Sequence, residues 1–261
     1  MVKNIKNLIR RKLPELIKKL LSRVYNKWNL RVVLDKNLVK DLAEYFNLSY
    51  EQTLCMLKVG TRLNKELWNI LTPTTEEEIK RFYKIIPFYP FSLAWWHMSK
   101  GQRDFRDKIL RISRGDVLDY GGGIGDLCLA LSKKGFNVTY ADLQGKTSEF
   151  AKWFFKKRGY LNIPTLDVER DQEKIWGRIY DTIICIDTIE HIPHPEVILE
   201  KIAMHLKNNG KLVITALDFA GKEDHPMHLE INFDVEKLLN SFELFKSDIY
   251  DWLWIKNPKP R

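Results

Sequence analysis

Residues 116–125 read Asp116-Val117-Leu118-Asp119-Tyr120-Gly121-Gly122-Gly123-Ile124-Gly125, a β-rich run that stops in a glycine-rich turn. An amphipathic helical pattern follows from about 125 to 134. A glycine-rich turn between strand and helix lets a ligand approach the backbone over a helix N-terminus, at the carboxyl end of a sheet. A nucleotide-type cofactor is therefore expected. A dinucleotide fingerprint needs glycine or alanine three positions after Gly123, where Asp126 stands. A carboxylate there would repel a pyrophosphate, and Asp119 already flanks the loop. The acidity suits a cationic ligand instead.

Outward from this stretch, three more β-rich runs recur: NVTYAD (137–142), YDTIICID (180–187) and GKLVITAL (210–217). Helical patterns at about 146–158 and 195–207 lie between them. Strands alternating with helices predict βαβ units around a parallel sheet. A helix is expected near Asp234–Ser241, then two strand candidates, LFKSDIY (244–250) and WLWIKN (252–257). So little chain separates those two that only antiparallel pairing is open to them.

The 119–125 segment matches every fixed position of D-x-G-x-G-x-G. It resembles the first motif of class I S-adenosylmethionine-dependent methyltransferases, and the resemblance extends over about residues 105–257. What it implies is a Rossmann-like α/β fold, with a mostly parallel seven-stranded sheet ending in an antiparallel hairpin, and S-adenosyl-L-methionine as cofactor. Asp119, Gly121, Gly123 and Gly125 form the implied glycine loop. Asp142, followed by Leu143, resembles the acid on the ribose hydroxyls. Asp167 resembles the acid that takes the adenine amino group, with Val168 beside the ring. Asp187, in IICIDTIEHIPHPEVIL, resembles the start of a D-x-x-E-H segment that lines cofactor and substrate, which places Glu190 in the substrate pocket. The cofactor's ammonium and sulfonium suit carboxylates, and methyl transfer needs chiefly alignment and exclusion of water.

Four histidines fall in two short segments after strand ends: His191 and His194 in EHIPHP, His225 and His228 in DHPMHLE. His191 and His228 are candidate catalytic bases, and His194 and His225 are read as loop-ordering hydrogen bonders. D-x-x-E-H with a later histidine also resembles the E-x-x-E-H divalent sites of ubiquinone O-methyltransferases and small-RNA 3′-end 2′-O-methyltransferases. Here Asp187 replaces the first glutamate with a shorter carboxylate, so no bound metal is expected.

Toward the N-terminus, residues 35–114 read as helices. Asp35 or Lys36 opens one, Ser49 with Gln52 makes a capping box for another that Gly60 closes, and Thr74 or Thr75 caps a third beginning Glu76-Glu77-Glu78. An aromatic tract follows (Phe82, Tyr83, Phe88, Tyr89, Phe91, Trp95, Trp96). It reads either as core packing or as one wall of an apolar substrate pocket; Tyr89, Trp95 and Trp96 are its candidate lining residues. The segment 42–57 is a weak match to a DNA-binding helix-turn-helix, because Thr53 takes an apolar position and the flanking segment is not basic.

The net charge of +9 is entirely N-terminal: residues 1–31 hold ten bases and one acid, and the rest balances. Within 1–31, Ile5, Leu8, Ile9, Leu13, Leu16, Ile17, Leu20, Val24 and Trp28 make a helical stripe, hence a basic amphipathic helix. It suits an anionic membrane surface or its own domain better than nucleic acid. The longest charge-free stretch, 85–99, is broken by two prolines and is too short to span a bilayer. No secretory signal is evident, so a cytoplasmic location is expected, with the N-terminus able to reach the membrane. Cys55, Cys128 and Cys185 lack paired spacing and read as buried small hydrophobes. The expected organisation is 1–31 amphipathic helix, 32–104 helical cap and 105–261 cofactor-binding domain. The expected function is methyl transfer to a hydrophobic or lipid-like small molecule. An RNA or protein methyltransferase with a basic tether is the enzyme alternative, and a noncatalytic cofactor-binding or DNA-binding regulator the other class. Oligomeric state is not readable.

Overall fold

In the computed structural model, which describes residues 31–215 and 226–257, helices come first. They are α1 (Lys36–Tyr45), α2 (Tyr50–Leu71), α3 (Glu76–Ile85), α4 (Tyr89–His97) and α5 (Lys100–Ile112). Their starts follow the capping chemistry of the sequence. The Asp35 carboxylate accepts from the Asn37 and Leu38 N–H groups, and Ser49 and Gln52 close a reciprocal box, as do Thr75 and Glu78. The expected stop at Gly60 does not occur: α2 runs on for eleven residues. A Cβ on Gly60 would stand 3.1 Å from the Ser92 nitrogen and 3.3 Å from the Phe88 oxygen, so this glycine lets α4 cross close to α2. The expected domain boundary after residue 104 falls inside α5, which Ser99 caps and which continues unbroken to Ile112. Cys55 is exposed on α2, contrary to expectation, whereas Cys128 and Cys185 are buried.

The second half supplies strands β1 (Asp116–Tyr120), β2 (Asn137–Asp142), β3 (Thr165–Asp167), β4 (Tyr180–Cys185), β5 (Leu206–Ile214), β6 (Leu244–Lys246) and β7 (Leu253–Lys256). Helices α6 (Asp126–Lys133), α7 (Lys146–Lys157), α8 (Gln172–Trp176), α9 (Pro195–Met204) and α10 (Val235–Ser241) connect them. The order is β3-β2-β1-β4-β5-β7-β6. β1 to β5 pair in parallel, and β7 pairs antiparallel with both β5 and β6, the predicted terminal hairpin. Val117, Val138, Ile184 and Val213 face one core cluster, while their neighbours Leu118, Ile183, Leu212 and Ile214 face a second on the other side. Period-2 alternation thus buries both faces of the sheet, which is why the runs are apolar nearly throughout.

The helical half is anchored to this sheet by charge as well as by packing. Asp41, 3% exposed on α1, is paired with Arg158 and with Lys157 at the end of α7. Strand order reverses between β1 and β4, so the ends of these two strands open a crevice, and α2 to α4 roof it. No helix among the described residues is long and apolar enough to cross a membrane. The amphipathic segment predicted at the N-terminus lies outside the described residues, apart from Arg31.

Candidate active site

The β1 loop is folded by its own hydrogen bonds. Gly121 sits at φ 76°, and a Cβ there would collide with the Thr188 side chain at the end of β4, so only glycine lets the two strand-end loops meet. The Gly121 N–H donates to the Ala141 carbonyl at 2.8 Å, and the Gly123 N–H to Asp142 Oδ2 at 2.7 Å. The other Asp142 oxygen accepts from the Leu143 N–H at 2.7 Å, and the Tyr140 hydroxyl donates to the Gly123 carbonyl at 2.7 Å. β2 therefore clamps the loop that β1 presents.

A cavity of about 830 Å³ opens above these strand ends. One end is lined by Asp119, Gly121, Gly123, Asp142, Leu143 and Val168, with Leu93 of α4 against Gly123; the other by Tyr83, Tyr89, Trp96, Glu190, His191, Met227 and His228. Three predicted residues stand outside its wall. Gly125 caps α6 and packs against Phe155. Asp167 turns its carboxylate onto the Glu169 N–H at 3.0 Å and toward Arg170 at 3.7 Å, so it folds the turn after β3 and leaves Val168 and Glu169 facing the cavity. Trp95 packs on the core, because consecutive helical residues point about 100° apart and Trp96 takes the cavity side.

Burial sets the charges at the first end. It lifts the Asp142 carboxyl to about 7 despite the Gly123 and Leu143 N–H groups, and the Asp119 carboxyl to about 6 despite the Cys128 thiol that donates to it at 3.0 Å. Two such carboxyls at the mouth of a glycine loop are stabilised by a cationic, hydroxyl-bearing ligand. Sequence reasoning missed the groups beside them. His97 and Arg106, which line the cavity from α4 and α5, meet Asp126 at 3.0 and 2.5 Å. Burial acts to raise the Asp126 carboxyl, but the Arg106 guanidinium and the His97 ring outweigh it and hold the group below the ordinary carboxylate range. The available signal was the acid itself, since a carboxylate in the first turn of a buried helix calls for a cation from elsewhere.

The second end is built on β4. Asp187, at φ 47°, has both oxygens engaged: Oδ1 accepts from Thr215 at 2.7 Å and Oδ2 from the Trp96 indole at 3.0 Å. It staples α4 to the strand end. Glu190 is 1% exposed, one of its oxygens has no hydrogen-bond partner, and burial, with the Asp187 charge, pushes its carboxyl to about 9. His191 and His228 meet as rings 4.8 Å apart, in a T-shaped pair. One ligand atom each from Glu190, His191 and His228 lies within 4.8 Å of the others, a group that can hold a divalent cation. The metal-free expectation rested on Asp187 as a necessary ligand; with Asp187 turned to Trp96, the remaining three still converge. His194 stands at the rim, 3.5 Å from Glu196, and His225 lies outside the described residues.

A family profile described as a methyltransferase domain matches residues 95–248, well over half of the chain. The ubiquinone biosynthesis O-methyltransferase of Rickettsia akari is 31% identical over 111 residues, covering 41% of this chain and 42% of its own length. That of Rickettsia typhi is 30% identical over 168 residues, covering 57% of this chain and 63% of its own length. The chain thus spans between two-fifths and two-thirds of these relatives. Among solved structures, magnesium protoporphyrin IX methyltransferase of Synechocystis PCC 6803 with bound S-adenosylmethionine is 20% identical, with a TM-score of 0.45, over 60% of this chain and 80% of that one.

Proposed function

The chain belongs to the class I S-adenosylmethionine-dependent methyltransferases, and we propose that it transfers the methyl group to an oxygen of a hydrophobic, lipid-like small molecule. The observation that carries this reading is one continuous cavity joining the strand-end acids to an aromatic wall that ends in Glu190, His191 and His228. S-adenosylmethionine supplies an electrophilic methyl on a positively charged sulfur, whose charge is lost as the methyl leaves. Asp119 and Asp142 hold the polar ligand at the strand ends. Tyr89 and Trp96 hold the apolar body of the acceptor and exclude water, so that the acceptor oxygen meets the methyl in line.

At neutral pH Glu190 keeps its proton, which makes it a hydrogen-bond donor and leaves the base's role to an imidazole. His191 or His228 takes the hydroxyl proton as the oxygen–carbon bond forms and the sulfur–carbon bond breaks. A second reading is favoured by the convergence of Glu190, His191 and His228. A divalent cation held by these three would stabilise the acceptor as an alkoxide or phenolate, and its binding would release the Glu190 proton. Activity lost in a chelator and restored by Mg²⁺ or Zn²⁺ would select this route; activity untouched by chelation would select the imidazole alone.

The acceptor class is tested by supplying methyl-labelled S-adenosylmethionine with cell extract and separating the products. Label in the organic-soluble fraction is expected; label in RNA or protein would overturn the acceptor class and recast residues 1–31 as a polymer tether. For that segment we infer contact with an anionic membrane surface, motivated by ten bases on an apolar stripe. Deleting it is expected to abolish binding to anionic vesicles, and unchanged binding would refute that role.

A further inference from the structure

We propose that Tyr83 is a positioning residue that holds His191 with its proton on Nδ1, so that Nε2 is the nitrogen carrying the lone pair at the acceptor end of the cavity. This rests on the reading above, in which His191 serves the acceptor. Three atoms decide it. Tyr83 Oη lies 2.8 Å from His191 Nδ1, Nδ1 lies 3.1 Å from the Met227 carbonyl oxygen, and Tyr83 Oη lies 3.3 Å from that same oxygen.

A carbonyl oxygen only accepts, so a bare Nδ1 would set two lone pairs against each other at 3.1 Å. With the proton on Nδ1, all three contacts are satisfied together. The Nδ1–H is shared between Tyr83 Oη and the Met227 carbonyl, and the phenol donates its own proton to that carbonyl. A phenol keeps its proton at neutral pH, as this arrangement requires. The carbonyl is itself fixed: the Leu229 N–H donates to the Glu190 carbonyl at 2.7 Å, tying the segment after β5 to the turn that bears His191, and the Met227 side chain is buried against Trp68 and Phe82. The tyrosine comes from α3, outside the sheet, and its ring meets His191 edge-on at 5.3 Å. The helical cap thus sets which nitrogen of the strand-end histidine reacts. An imidazole hydrogen-bonded through one nitrogen presents the other as base or metal ligand, and loss of such a partner costs about tenfold to a hundredfold in activity or metal affinity.

The test is ¹⁵N-histidine NMR on the full ligand-free chain at neutral pH, with His191 identified from the spectrum of His191→Asn. The wild type is expected to show His191 protonated at Nδ1, and Tyr83→Phe to show a mixture of the two tautomers. In methyl transfer from labelled S-adenosylmethionine to extracted lipid, Tyr83→Phe is expected to lower kcat roughly tenfold to a hundredfold, with the dissociation constant for S-adenosylmethionine within about twofold of wild type. A packing role alone would move neither the tautomer nor this kcat-against-binding split. A wild-type His191 protonated at Nε2 overturns the proposal, as does a Tyr83→Phe protein with unchanged tautomer and unchanged kcat. A chain that binds no S-adenosylmethionine would break the functional reading, while the tautomer, read on the ligand-free protein, still decides this one.

Discussion

The two ends of the cavity are made in different ways. The end we assign to the cofactor is local: Asp119, Gly121 and Gly123 lie within five residues at the end of β1, and Asp142 ends the strand paired beside it. The end we assign to the acceptor is assembled at long range, with Tyr83, Tyr89 and Trp96 from the roof, Glu190 and His191 after β4, and Met227 and His228 after β5. Their carboxyls differ as well. Burial lifts Asp119 and Asp142 to about 6 and 7, where they ionise readily toward a cation, and lifts Glu190 to about 9, where it stays protonated. One end is therefore an acidic cradle set by strand-end pattern, and the other an aromatic chamber around Glu190 set by how the helical half is docked.

The sharpest way to break this division is at His191. His191→Asn is expected to lower kcat by about a hundredfold or more while cofactor affinity stays within about twofold; a matching loss of cofactor binding would mean that the ends are not separable. Next comes Asp142→Asn, which removes an ionised acceptor and should weaken S-adenosylmethionine roughly tenfold to a hundredfold. This variant has a second signature, in stability. The folded Asp142 titrates near 7 against about 4 when unfolded, so the folded chain holds the proton longer, and stability falls as pH rises from about 4 to 7. The Asn variant has no proton to lose but keeps only one acceptor oxygen for the Gly123 and Leu143 N–H groups, so its melting temperature should lack this fall between pH 4 and 7, by calorimetry. For the same reason wild-type affinity for the cofactor should decline as pH falls through 7 toward 6.

Smaller effects sharpen the comparison. Trp96→Phe keeps the apolar wall and deletes the hydrogen bond to Asp187, so the KM for the acceptor should rise about fivefold, as one hydrogen bond would predict, with cofactor affinity unchanged. Glu169, which faces the cavity, pairs with Lys84 at 2.6 Å and Lys80 at 3.5 Å and latches α3 over the Val168 side. These groups are about 30% exposed, so the latch is weak. Glu169→Gln should speed cofactor release by about two- to threefold in stopped-flow measurements, and the difference should vanish in high salt.

The same division explains what the sequence disclosed. The parallel sheet, the hairpin and the glycine loop were legible because each is written in contiguous residues, and so was the capping box at Ser49; the choice between Thr74 and Thr75 as cap was settled by the structure, where Thr75 and Glu78 close a box. Gly60 misled because a glycine that permits a helix crossing looks, in one dimension, like one that ends a helix. Asp167 shows how a strand-end acid can also serve its own turn: one of its oxygens accepts from the Glu169 N–H, a contact that no pattern in the sequence announced. Trp95 and Trp96 could not be separated until the facing of α4 was known. The contacts of Tyr83 with His191, Trp96 with Asp187, and Arg106 with Asp126 span 108, 91 and 20 residues, beyond the reach of periodicity.

The most direct test of the account is calorimetric titration of S-adenosylmethionine into wild type, Asp142→Asn and His191→Asn at pH 8. Tight binding to wild type is expected, with equal binding to His191→Asn within about twofold and a loss of roughly tenfold or more in Asp142→Asn. Equal affinity in all three, or a loss in His191→Asn as large as in Asp142→Asn, would contradict it.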